Sequence, residues 1–375
     1  MLFKAIPGLS ETKKLLIDAV KNDHTAHAQL FVGSTGALNL PLALAYATYL
    51  HCRNRGADDA CGVCSACSKN LKFIHPDTHF VFPLSNIKGD KDEDRFKAEI
   101  MKSWRAFLLE QPFGDLNDWT TFYGGEDKQA LISREESREI IKSLSLKPFE
   151  SPYKVMIIWQ PEFMHPSAAN GILKILEEPA AHTYFILVTN AADKLLPTII
   201  SRTQLISIPL LPDSEIEKFL IERESLEPKR ASLITQLAEG NLNLSLKLKE
   251  NEEDDNAQLF IDWMRACHSK KRMGELVGKA EEFHALDKMR QRNIMHYGMN
   301  MMRETLLNIS QADSIHRIQG EELKFVQQFS TVMNVHKIEK SFKLMNDATY
   351  HLERNGSAKM IFLDLSLQLS KTINP

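Results

Sequence analysis

The chain has 375 residues, 43% of them apolar and 25% charged, which is enough for two or three domains with separate cores. Its 46 basic residues stand against 49 acidic ones, a net charge of −3; this excludes a nucleic-acid binder working through bulk positive charge, so any DNA contact is local or made through partners. No stretch reaches the roughly 18 apolar residues of a membrane span, and Met1–Gly8 lacks the apolar core of a secretory signal, so the expectation is a cytoplasmic protein with no membrane partner.

In chain order, Ser10 is placed to cap a helix running to about Asn22. Leu30–Val32 reads as a strand, and the glycine turn after it leads into a helix from about Asn39 to His51. Pro41 is tolerated there because the first helical turn has no N–H partner to lose. Residues 83–129 mix a charged stretch (Asp90 to Arg95) with Trp104, Phe107, Phe113, Trp119, Phe122 and Tyr123; the expectation is an inserted, partly helical excursion with aromatic anchors. Ser133-Arg134-Glu135-Glu136 is a capping box opening a helix to about Ser145. Lys154–Trp159 and Thr183–Thr189 are apolar runs of buried strands, separated by a helix from Ser167 to Glu178 that Pro179 stops. Leu205–Ile208 is a last short strand. Strands alternating with helices predict a mostly parallel sheet flanked by helices.

From Pro209 the pattern turns helical. Asp213 is placed to cap a helix to Arg223, and a second runs from about Pro228 to Ala238. The acidic run 250–255 reads as a linker or helix start. Long helices follow near Gln258–Cys267, Leu286–Ile309, Glu321–Met333, His336–Arg354 and Ala358–Ser370. The stripe Leu286, Met289, Ile294, Met295, Met302, Leu306 and Leu307 suits a bundle between chains and an internal core equally.

Four of the five cysteines, Cys52, Cys61, Cys64 and Cys67, fall within sixteen positions. Thiolates two residues apart can turn inward on a tight knuckle around Zn²⁺, and a full set of four leaves no open position for water, making such a site structural. Two rivals stand: an iron–sulfur cluster, which lacks its next cysteine because Ser68-Lys69-Asn70-Leu71 follows, and free or partly metallated thiols. His51, His75 and His79 are reserve ligands. Cys267, alone in a helix, reads as a small core residue.

After Val32 comes Gly33-Ser34-Thr35-Gly36-Ala37-Leu38-Asn39-Leu40. In a phosphate-binding loop, G-x-x-x-x-G-K-[ST], the lysine reaches the β/γ oxygens and the hydroxyl holds Mg²⁺. Counted from Gly33, the second glycine is Leu38, the lysine is Asn39 and the hydroxyl residue is Leu40. The acidic pair expected at the end of a neighbouring strand is absent as well, since Trp159-Gln160 ends it and Glu162 lies beyond Pro161. Gly33 and Gly36 then serve a tight strand-to-helix turn, with residual nucleotide binding as the alternative.

The segments His27–Gly33, His75-Pro76-Asp77, Tyr153-Lys154-Val155, Ala169–Pro179 and Leu196–Arg202 resemble the bacterial DNA polymerase III clamp loader family. The likeness runs roughly over residues 5–80 and 130–245, and the four-cysteine spacing is similar to the family's zinc module. The resemblance implies an α/β P-loop-type (AAA+) domain over 1–208, carrying the zinc module at 52–67 and an insertion at 83–129. A small helical lid over 209–250 and an all-helical C-terminal oligomerisation collar over 251–375 follow.

The family's motor subunits keep the lysine, the acidic pair and a lid arginine. Here Gly240-Asn241-Leu242-Asn243 places Asn243 where that arginine stands. Ser201-Arg202 is kept, although the cysteine that often follows is Thr203. Arg202 is thus implied to be an arginine finger, given in trans to ATP on a neighbour by a non-catalytic, stator-type subunit. The implied partners are the gamma/tau motor and delta subunits, the sliding clamp, and primer–template DNA through the complex. Polymerase activity belongs to other subunits of the holoenzyme. Lys174, Glu177 and Glu178 read as the polar face and end of a helix rather than a catalytic cluster. The competing readings are a motor-type (gamma/tau-like) ATPase with an unusual loop, and a zinc- or iron–sulfur-dependent binding module outside replication.

Overall fold

A computed structural model describes residues 1–85, 93–125, 130–133, 147–179, 181–250, 256–286, 288–312, 318, 320–353 and 356–374. The capping box beginning at Ser133 and most of the acidic run lie outside them. The chain forms two compact units, 1–231 with 238–247, and 232–237 with 248–375.

The first unit is built on a parallel sheet of β1 (Ala28–Val32), β2 (Thr78–Val81), β5 (Lys154–Trp159), β6 (Thr183–Thr189) and β7 (Gln204–Ser207), in the order β2-β5-β6-β1-β7. All six residues of β5 are buried, as strands covered on both faces require. β5 runs beside β6 with Trp159 opposite Val188, and β6 beside β1 with Thr189 opposite Val32. Gly33, Gln160 and Asn190, which follow β1, β5 and β6, therefore emerge side by side at the carboxyl end of the sheet, where open α/β sheets hold ligands. The helix Asn39–His51 is buried along its whole length.

The insertion contains the helices Glu93–Glu110 and Leu116–Phe122. It is closed by a short antiparallel pair, β3 (Leu84–Ser85) with β4 (Ala130–Leu131). Its aromatic residues make a core of their own. Trp104 stacks on Phe82 with ring centroids 4.1 Å apart and meets Trp119 at 5.0 Å and Trp159 at 5.2 Å. The indole of Trp119 donates to the Pro83 carbonyl at 3.0 Å.

Two residues expected to be helix caps are the first helical residues instead. Helix Ser10–Lys21 has Leu9 as its N-cap, at φ 57 after Gly8 at φ 55, so a left-handed turn starts it rather than a hydroxyl. Helix Asp213–Glu222 is preceded by Pro212, whose side chain caps nothing.

The second unit carries helices Asn256–His268, Glu275–Ala285, Lys288–Ile309, Gly320–Phe329, Val335–Glu353 and Ala358–Ile373. Glu275–Ala285 fits the all-helical reading of this region but is not among the long helices expected, although Leu276, Ala280 and Phe283 carry a helical spacing and are buried. Phe362 stacks on Trp263 at 4.5 Å and on Phe283 at 4.3 Å. Ile294, Met295 and Met302 are buried in this core and Leu306 packs against it, so that stretch of the stripe serves the unit's own interior. Cys267 is fully buried there, and burial pushes its thiol up to about 12.

Candidate functional site

The turn after β1 is occupied by side chains of this chain. Asn39, 2% exposed, donates its amide to the Thr189 carbonyl at 2.9 Å and to that of Gly33 at 3.4 Å. Asn190 donates to the Gly33 and Ser34 carbonyls at 3.1 and 2.9 Å, and accepts from the Gln160 amide at 2.5 Å. The loop is therefore tied to the ends of β5 and β6 by uncharged amides. Both glycines are required by close approach. A Cβ on Gly33 would sit 2.4 Å from Asn39 Oδ1, and one on Gly36, at φ +92, would sit 2.4 Å from Asn241 Cγ.

Glu162 comes closer to this region than its position past Pro161 suggests. Its carboxylate accepts from Thr189 Oγ1 at 2.9 Å and Asn190 N at 3.2 Å. Burial raises its pKa against these donors. Asn190, Asn241 and Glu162 were not legible as a group, because polar residues in turns carry no periodicity.

The four cysteines converge. Their sulfurs all lie within 4.8 Å of one another, a set that could bind a metal ion. Cys61 Sγ and Cys67 Sγ are 3.9 Å apart. The backbone shapes the knuckle: Cys61 N–H donates to Cys52 Sγ and Cys64 N–H to Cys61 Sγ, each at 3.3 Å. Burial opposes ionisation of Cys64, yet donors from Arg53 and Cys67 bring it down to about 6, while Cys52 is raised by burial. His51, His75 and His79 are not among the converging groups; His51 and His75 stack on each other at 4.2 Å.

Arg202 follows the single turn Pro197–Ile200, whose buried Ile199 fixes it to the core. Its guanidinium pairs with Glu177 and donates to the Thr198 carbonyl at 3.0 Å, and Ser201 Oγ donates to the same carbonyl at 3.2 Å. Its side chain is 30% exposed. The stretches Ala169–Pro179 and Leu196–Arg202 thus meet in the ion pair of Glu177 with Arg202.

A five-stranded parallel sheet with a P-loop-type turn and many helices fits the AAA+ clamp loader fold. Residues 8–212, more than half of the chain, match the DNA polymerase III, delta subunit family, and the chain belongs to that family. It is 30% identical over 241 residues to the DNA polymerase III subunit delta' of Bacillus subtilis, covering 64% of this chain and 59% of that protein. It is 34% identical over 122 residues to the subunit gamma of Buchnera aphidicola, covering 31% of this chain and 34% of that one. The matches thus span between a third and three fifths of these relatives' length. Among solved structures, a gamma subunit-related protein of Thermotoga maritima aligns over 98% of this chain and 100% of its own, at 15% identity and a TM-score of 0.40. No helix among the described residues is long and apolar enough to cross a membrane.

Proposed function

We propose that this chain is a delta prime-type subunit of a DNA polymerase III clamp loader, a non-catalytic stator that lends Arg202 in trans to a neighbouring ATPase. The observation that carries the reading is the loop after β1: Asn39 stands in the lysine's place with its amide spent on the Thr189 and Gly33 carbonyls. Without a lysine, a Mg²⁺ hydroxyl or a carboxylate at Gln160, neither the γ-phosphate nor the metal has its usual ligands. Arg202, by contrast, is a charged planar fork near the surface, its side chain 30% exposed and set by Glu177 and the Thr198 carbonyl. A finger of this kind stabilises charge on the transferring phosphoryl group.

The partners follow from this role: the gamma/tau motor and delta subunits, the sliding clamp, and primer–template DNA through the complex, all in the cytoplasm. Residues 1–208 form the AAA+ domain, 209–250 the lid and 251–375 the collar. Cys52, Cys61, Cys64 and Cys67 hold a structural Zn²⁺. Four sulfurs at about 2.3 Å from one ion are about 3.8 Å apart along each tetrahedral edge, and the 3.9 Å between Cys61 and Cys67 fits one ion. Bound zinc supplies only a cross-link between the end of helix Asn39–His51 and the knuckle.

Reconstitution with gamma/tau and delta subunits tests the role. Arg202→Ala is expected to leave assembly intact and to lower ATP turnover by the complex about 10³-fold; unchanged turnover sinks it. The similarity to a gamma subunit favours one second reading, a motor-type ATPase. Micromolar ATP binding with hydrolysis by the isolated chain would select it.

A further inference from the structure

The insertion reaches beyond the sheet edge it packs on. Its second helix opens with a reciprocal capping box: Asp115 Oδ1 accepts from the N–H groups of Asn117 and Asp118 at 2.9 and 3.0 Å, and Asp118 Oδ2 accepts from Asp115 N–H at 2.9 Å. The same two carboxylates receive the side chains of the helix that starts at Leu242. Asn243 Nδ2 donates to Asp118 Oδ2 at 2.7 Å and to Asp115 Oδ2 at 3.4 Å. Lys247 Nζ lies 2.6 Å from Asp118 Oδ1 and 3.7 Å from Asp115 Oδ2. Asn243 and Lys247 are four residues apart on that helix, hence on one face. A second, apolar contact joins Phe113 to Phe219 of helix Asp213–Glu222, edge to face at 5.8 Å.

The other end of this bridge is anchored. Trp119, one residue after Asp118, is fully buried and packs in the cluster that includes Trp104, which in turn meets Trp159 at the end of β5. A packed path therefore runs from the carboxyl end of the sheet, through the insertion, to two helices of the lid segment.

We propose that the insertion is a built-in clasp that holds these lid helices on the α/β body without nucleotide. Asp115 and Asp118 offer the lid helix a fixed pair of anionic oxygens, and Asn243 and Lys247 take them up. This rests on the proposed stator role, in which Asn243 stands at the place of a lid arginine that would otherwise answer to bound ATP. Lid orientation is then a fixed property of this chain, set by its own carboxylates and unchanged through the ATP cycle of its neighbours.

Backbone amide hydrogen exchange on the full chain tests this. Lys247→Glu sets a third carboxylate against Asp115 and Asp118; exchange in 213–222 and 242–247 is expected to rise about tenfold while the amides of β1, β5 and β6 keep their rates. Lys247→Gln should give a smaller rise in the same helices, and it decides the matter if the glutamate variant loosens the whole sheet. Adding ATP and Mg²⁺ to the parent chain should change nothing in either helix. Unaltered lid exchange in both variants, or slower lid exchange on adding ATP, overturns the clasp. Should Arg202→Ala leave turnover of the complex intact while Lys247→Glu still frees the lid, the clasp stands and the stator role falls.

Discussion

Asp77 shows what the His75-Pro76-Asp77 stretch does in this chain. It is 1% exposed, and its carboxylate accepts from the backbone N–H groups of Phe149, Glu150 and Ser151 at 2.6, 2.8 and 2.8 Å. Burial alone would push its pKa up, but these three donors outweigh burial and hold it below the ordinary carboxylate value. The sign follows: the contribution to stability is full above the unfolded pKa and is lost as pH falls through the lowered folded value. Asp77→Ala removes a buried carboxylate and its three charge-assisted hydrogen bonds to part-buried N–H groups, and is expected to cost about 3 kcal/mol in denaturant unfolding at neutral pH. It should also flatten the acid limb of stability against pH. A variant as stable as the parent would show that 149–151 are held by something else. The triplet was visible in the sequence as a motif; its partners, 72 residues or more away, were not.

At the scale of elements, legibility followed periodicity. β5 and β6 were readable as uninterrupted apolar runs because both faces of a parallel sheet are covered. Helix starts at Ser10 and Asp213 were misplaced by one residue, since a polar side chain before an apolar run resembles a cap while the left-handed Leu9 and the extended Pro212 do the work. The aromatic residues of the insertion announced a core but not its address at Trp159, and nothing in local pattern joins Asp118 to Asn243. The cysteine knuckle was legible because thiols two residues apart can converge on one tight turn, whatever surrounds them. Purified protein is expected to hold close to one zinc per chain and no visible charge-transfer absorption. Cys64→Ser should weaken zinc affinity by more than about 100-fold, since loss of a ligand exceeds loss of an outer-shell partner. Metal analysis and competition with a chromogenic chelator read both, and a coloured, iron-containing protein would replace zinc with a cluster.

For the molecule as a whole, the decisive question is whether the loop after β1 is one substitution away from working. Restoring the lysine alone is expected to fail. Asn39→Lys removes the amide that ties Thr189 and Gly33 together and places an ammonium at a position 2% exposed, beside the carbonyls of Thr189 and Gly33, of which the latter already accepts from Asn190. Burying that charge without an anionic partner costs about 3 kcal/mol. ATP cannot supply the partner efficiently, because Leu40 offers no hydroxyl to Mg²⁺, Gln160 no carboxylate, and Asn241 lies against Gly36 where the loop would have to open. The variant should therefore melt at lower temperature than the parent, gain no stability from ATP and Mg²⁺, and hydrolyse none. Thermal unfolding with and without nucleotide, together with a phosphate-release assay, measures all three. ATP turnover by Asn39→Lys would mean that the amides around Gly33 yield to a nucleotide, and would count against the proposed stator role.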